Sequence, residues 1–176
     1  FMTLFSATLI AKDRESAFLA RLYTTPLTAT DFIFGYMLPL LPIALAQCLI
    51  TYGAAILLGL AVTVDLLYAV LLILPISLFF IALGLLAGSV LNVKQVGGIC
   101  GALLTNLSAW LSGTWFDLDL VGGAFRKIAY ALPFVHAVEA ERNSADLWQH
   151  LAVVLGYGAV TAVAAVCLFL RQMQKQ

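Results

Sequence analysis

Very few side chains in this chain are placed to do chemistry. Gln47, Thr51, Asn106, Ser108 and His150 are the polar residues set inside long apolar stretches. Polar groups in such surroundings either line a pathway or hydrogen-bond neighbouring helices, the latter worth about 0.6 kcal/mol each on average. Gln47, Thr51, Asn106 and Ser108 are therefore the candidates for lining a path. Cys48, Cys100 and Cys167 all sit in apolar stretches, with spacing that suggests neither a metal site nor a disulfide framework, and they read as packed free thiols. His136 and His150 fall near one edge of the apolar segments with no Cys or His cluster in sequence around them. Asp117 and Asp119 read as solvated loop charges. No Gly-x-x-x-x-Gly-Lys-Ser/Thr run occurs, and Gly97, Gly98 and Gly101 are followed by no Lys-Ser/Thr, so phosphate binding by a P-loop is not expected. No catalytic triad, metal motif or cofactor box stands out, and neither enzymatic activity nor a bound cofactor is expected of this chain.

The elements that must position these residues are long apolar helices. Apolar residues make up 63% of the chain and charged residues 10%, far below the roughly 25% charge of soluble domains. No charged residue occurs in 32–64, 66–93, 95–116 or 147–170, and each run exceeds the roughly 20 residues that cross a bilayer core. Outer-membrane strands would instead give alternating ten-residue segments. The zero net charge carries no signal for nucleic acid, and none is expected as a partner. The reading is an all-α, polytopic membrane protein forming one transmembrane domain over 1–176. Four full transmembrane helices are expected at 28–59, 66–90, 95–112 and 147–170. Residues 1–11, too short to span, read as the end of a truncated helix.

Local signals set several boundaries. Thr28-x-x-Asp31 matches a capping box, and Pro39 and Pro42 predict a bend in the helix that follows. Asp65 is a plausible N-cap for the next helix, which contains Pro75. The short turn Leu91–Gln95 predicts antiparallel neighbours. Gly84-x-x-x-Gly88 and Gly97-x-x-x-Gly101 allow close helix packing within one subunit. Residues 113–146 contain apolar pieces too short to cross, which predicts external re-entrant or interfacial helices. Trp110, Trp115, Tyr130 and Trp148 suit an aromatic belt.

Charge counting gives an orientation. Lys12, Arg14, Arg21, Lys94, Arg171 and Lys175 fall on one side, six basic residues against three acids; Arg126, Lys127 and Arg142 fall on the other, three against six acids. Basic residues in short loops mark the cytoplasmic face. Segment 12–27 and the C-terminus are thus expected in the cytoplasm, with 113–146 outside. Within 12–27, Phe18, Leu19, Leu22 and Tyr23 form one apolar stripe opposite Asp13, Ser16, Ala20 and Thr24, and Pro26 should end that helix near Thr25. An amphipathic helix of this kind either rests at the headgroups or docks on a cytoplasmic partner.

The run Leu19-Ala20-Arg21-Leu22-Tyr23-Thr24-Thr25-Pro26-Leu27-Thr28, followed by Phe34-Gly35-Tyr36 and a long apolar stretch, resembles the type-2 ABC exporter permeases (the ABC-2-type membrane domains). Downstream, Leu111-Ser112-Gly113, then Ile128 to Phe134 with Leu132-Pro133, and Ala137 to Arg142 resemble that family's external region. Tyr36 stands where the family has a basic residue, Glu15-Ser16 where it has Glu-Gly, and Thr114-Trp115-Phe116 where a proline often follows the Ser-Gly. The resemblance covers nearly the whole chain. It implies a permease subunit of an ATP-driven exporter in the cytoplasmic (inner) membrane. Its partners would be a separate ABC ATPase subunit carrying ATP and magnesium, a second permease copy in a homo- or heterodimer, and the lipid bilayer. It also implies that 12–27 is the coupling helix, with Phe18, Arg21, Leu22, Thr25, Pro26 and Leu27 meeting the ATPase. The alternatives are a membrane transporter or an assembly factor not coupled to ATP. A secondary carrier or intramembrane enzyme would need ionisable residues at mid-membrane, and the spans offer almost none. The substrate is not readable, although an apolar, uncharged interior favours amphipathic drugs, lipids or lipid-linked glycans over ions.

Overall fold

The computed structural model describes residues 1–16, 28–142 and 146–173. Among the described residues all regular structure is helical. The order is α1 (Met2–Glu15), α2 (Ala29–Met37), α3 (Leu40–Leu57), α4 (Val64–Val90), α5 (Val93–Val96), a π-helix over Gly97–Leu103, α6 (Leu104–Leu111), α7 (Leu118–Val121), α8 (Gly123–Ala131), α9 (Pro133–Glu141) and α10 (Leu147–Met173).

Three helices are long and apolar enough to cross a membrane: Ile33–Leu57, Val64–Val90 and Leu147–Arg171. The first is interrupted at Leu38 and Pro39, where α2 gives way to α3. Pro39 has no N–H to offer, and α3 restarts with Pro39 as its N-cap and Pro42 in its first turn, where a missing donor costs little. The second is capped by Thr63, with Asp65 in the first turn rather than at the cap. The stretch 95–112 differs from the uniform helix expected. It is a continuous helical run in three pieces whose centre widens into the π-helix. Gly97, Gly98 and Gly101 lie in that π-helix, where their low helix propensity favours a local rearrangement.

The centre of the bundle is α4, with α1 on one face and α10 on another. A methyl group added at Gly84 would overlap Ser6 and the Thr3 carbonyl, and one at Gly88 would overlap the Ala7 carbonyl. The two glycines thus let α1 lie backbone-to-backbone on α4. The contact is reinforced by Thr3 Oγ1 donating to the Phe80 carbonyl at 2.9 Å and Ser6 Oγ approaching the Ile81 carbonyl at 3.2 Å. Gly97 and Gly98 face open space, and a methyl group at Gly101 would make only ordinary contact with Leu4. The second glycine pair therefore does not serve as a packing seam within the subunit.

The described residues of the 113–146 region hold three short helices, α7 to α9. They are fastened inward by Phe134, whose ring lies 6.3 Å from Phe79 and 6.4 Å from Phe80 in the middle of α4. Tyr157 Oη of α10 donates to the Ala131 carbonyl at 2.6 Å and closes the α8–α9 corner. Trp110, Trp115, Tyr130 and Trp148 are all exposed on the bundle surface.

Candidate functional site

Two polar constellations stand out on this bundle, one at the C-terminal end of α4 and one against its middle. The first gathers where α1 stops. Asp13 accepts a 2.6 Å bond from the Tyr36 hydroxyl of α2. Arg14 Nη1 donates to the Gly88 carbonyl at 2.8 Å and the Leu91 carbonyl at 3.3 Å, satisfying acceptors that the end of α4 leaves open. Glu15 Oε1 accepts from the Val93 N–H at 3.2 Å, at the start of α5. Three consecutive side chains thus tie α1 to three other helices. Asn92 and Gln95 form a reciprocal cap on α5, at 2.8 and 3.1 Å. Across the segment 17–27, Thr28 and Asp31 form the same kind of box: Thr28 N–H donates to Asp31 Oδ2 at 2.9 Å, and Asp31 N–H donates to Thr28 Oγ1 at 3.3 Å. The hydrogen bonds from Thr28 hold the exposed Asp31 carboxyl below its ordinary range. Both ends of 17–27 are therefore anchored. Phe18, Arg21, Leu22, Thr25, Pro26 and Leu27 themselves lie outside the described residues.

The second constellation is an open cavity of about 510 Å³ between α1, α3, α4, α6 and α9. Gln47, Thr51, Tyr52, Thr105, Ser108 and Glu141 are among its polar lining, and Ile73, Ile76, Phe80 and Phe134 are among its apolar walls. Glu141 is the one charged side chain among the described residues of the lining. It is half-buried at the C-terminal end of α9, and burial pushes its carboxyl above the usual range. Arg142, its neighbour, is paired with Glu139 at 3.0 Å instead. No hydrogen bond or ion pair reaches the Glu141 carboxyl among the described residues.

Of the path candidates, the fold brings Gln47, Thr51 and Ser108 together at this cavity and leaves Asn106 out of its lining, with the Asn106 amide turned back onto the Ala102 carbonyl at 2.8 Å. His136 and His150, read in sequence as unpartnered, meet at 2.7 Å between their Nδ1 atoms, because α9 and α10 run side by side. His136 Nε2 faces the Tyr130 carbonyl at 3.0 Å, which can only accept. In the neutral pair His136 therefore carries its proton on Nε2, and His150 Nδ1 is the donor between the rings. Among the described residues no three His, Cys, Asp or Glu side chains are grouped to hold a metal. Asp117 caps α7, and Asp119 pairs with Arg126 at 2.8 Å on the exposed surface.

Sequence reading missed Asp13, Arg14, Glu15 and Tyr36 as a connected group, and Tyr52 and Glu141 as cavity residues. The Asn92-x-x-Gln95 box carried a local signal of the same form as Thr28-x-x-Asp31. The other residues had none, since their partners are brought together only by tertiary packing.

Apolar helices of spanning length around a partly polar cavity define a multi-pass α-helical membrane protein. Its family follows from comparison. The family model described as ABC-2 type transporter matches residues 1–144, and the chain belongs to that family. It is thus a membrane component of an ABC-2 type transporter, a family whose members function with ABC ATPase partners. No curated protein and no solved structure matches the chain.

Proposed function

We propose that this chain is the permease subunit of an ATP-driven exporter, powered by a separate ATPase that binds ATP and magnesium and engages segment 12–27 as a coupling helix. The observation that carries this reading is the anchoring on both sides of 17–27. On one side Asp13, Arg14 and Glu15 are bonded to α2, the end of α4 and the start of α5; on the other, Thr28 and Asp31 cap α2. A push on a segment held this way passes into three membrane helices instead of being lost in loose linkers. Phe18, Arg21, Leu22, Thr25, Pro26 and Leu27 form the surface that meets the ATPase.

In this reading the run Val93–Leu111 is the fourth span: nineteen helical residues at about 1.5 Å each approach the roughly 30 Å of hydrocarbon. The charged end of the bundle and the C-terminus face the cytoplasm, following the excess of basic residues there. Helices α7 to α9 enter the outer half of the membrane without crossing it. Gln47, Thr51 and Ser108 line the path, and a second copy completes it.

The test uses the full-length protein copurified with its ATPase. Leu22→Asp combined with Pro26→Ala is expected to abolish copurification and transport-linked ATP hydrolysis while the permease remains folded. Retention of both activities would remove 12–27 from the coupling role.

A further inference from the structure

The chemistry of the second constellation is more selective than its apolar walls suggest. Four of the cavity hydroxyls, on α3, α4 and α6, spend their protons on backbone carbonyls of the chain. Thr51 Oγ1 donates to the Gln47 carbonyl at 2.9 Å, Ser77 Oγ to Leu74 at 2.8 Å, Thr105 Oγ1 to Cys100 at 3.1 Å, and Ser108 Oγ to Thr105 at 2.9 Å. What these four hydroxyls turn outward is oxygen lone pairs, beside the Tyr52 hydroxyl and the Gln47 amide, which can donate as well as accept. Glu141 adds a carboxylate that no side chain neutralises among the described residues, because Arg142 is engaged by Glu139 and Arg126 by Asp119. An unpaired carboxylate beside apolar walls is costly unless it is protonated or meets a cation. Acceptor oxygens, one carboxylate and the rings of Phe80 and Phe134 on one surface suit a positive N–H group carried on an apolar body. The Glu141 carboxylate disfavours anions.

We propose that the cavity between α1, α3, α4, α6 and α9 binds an amphipathic organic amine, its ammonium against Glu141 and its apolar body against Ile73, Ile76, Phe80 and Phe134. The volume of about 510 Å³ lies within the range of about 300–1,000 Å³ typical of small-molecule sites. The inference deepens the export reading by naming a substrate class for the proposed path.

The test is binding of dansylcadaverine, a primary amine on a fluorescent apolar body, to the full-length protein with its ATPase. The complex is held in phosphatidylglycerol nanodiscs without nucleotide, and binding is followed by fluorescence anisotropy. Saturable binding is expected, weakened at least about tenfold by N-acetylating the amine of the probe, and to a similar degree by Glu141→Gln. Equal binding of the neutral probe, equal binding by Glu141→Gln, or absence of saturable binding overturns the proposal. A second measurement keeps Glu141 intact. With Cys100 and Cys167 replaced by alanine, the amine probe and not its acetylated form should slow alkylation of Cys48, which lines the same cavity. Equal protection by both probes overturns the proposal as well. Repeating the titration in phosphatidylethanolamine distinguishes the source of the amine. Competition by that lipid supports a headgroup ammonium at Glu141, and unchanged affinity supports a soluble amine there. Binding is read without ATP and coupling through ATP hydrolysis, so either reading can fail while the other stands.

Discussion

The C-terminal end of α4 and its middle treat the acidic residues beside them in opposite ways. At the charged end, Asp13, Glu15 and Asp31 each accept a hydrogen bond from a group on the chain, and Arg14 closes the open carbonyls of α4. Beside the middle of the helix, Glu141 faces a cavity and has no such partner among the described residues. A satisfied polar network resists displacement and moves with its neighbours, which suits a place where force enters. An unsatisfied carboxyl in an apolar cavity keeps its free energy available for something that arrives. In the proposed reading, the difference separates the end of the central helix where force would enter from the middle where substrate would bind.

The contrast depends first on α1 being seated on α4, so the largest effect is expected there. Gly84→Leu forces a side chain into Ser6 and the Thr3 carbonyl. The backbone contact must open, at a cost of at least about 1–3 kcal/mol. Thermal unfolding in detergent should show a drop of several degrees or no folded protein, and a variant as stable as the parent would remove α1–α4 contact as the organiser of the charged end. Next comes Arg14→Ala, which leaves the Gly88 and Leu91 carbonyls to find other donors. It should cost about 1–2 kcal/mol and loosen coupling, read as ATP hydrolysed per substrate moved. Tyr36→Phe removes one hydroxyl from Asp13, for about 1 kcal/mol. If that bond helps transmit the push, the ratio of transport to ATP hydrolysis falls more than stability does; a change in stability alone would make the bond merely structural.

The smallest effect tests the cavity. The Glu141 carboxyl is raised by burial in the folded protein, so the folded state holds its proton more tightly than the unfolded chain. Stability contributed by this group is therefore present at low pH and declines as pH rises from about 4.3, the unfolded value, through the raised folded value. Glu141→Gln should flatten that decline and leave the variant slightly more stable than the parent at neutral pH. A variant with the parent's pH dependence would show that Glu141 is already satisfied.

Much of this fold was legible because its signals are local or compositional. The apolar runs between Asp31, Asp65 and Lys94 delimit helices by charge alone, and Thr28-x-x-Asp31 declares a cap within four residues. The widening at Gly97–Leu103 was not legible, because a glycine-rich apolar run has the same hydropathy whether it winds as an α-helix or a π-helix. The pairing of His136 with His150 depends on how α9 and α10 lie together. The isolation of Glu141 depends on which face α9 turns toward α3 and α6, and on Arg142 choosing Glu139. In the sequence, Glu139, Glu141 and Arg142 look like three equivalent surface charges. Tyr36 shows the same limit from the other side: it stands where the family carries a basic residue, and only the end of α1 supplies the carboxylate that gives its hydroxyl a role.

The most direct test of the coupling role is a photo-cross-link from within 12–27. A benzophenone side chain is placed at Phe18 of the full-length protein, expressed with its ATPase and irradiated in native membranes. An adduct with the ATPase, changing in yield when ATP binds, is predicted. Adducts with lipid alone, while the complex still exports and hydrolyses ATP, would contradict the docking of this segment and leave it a helix resting on the membrane.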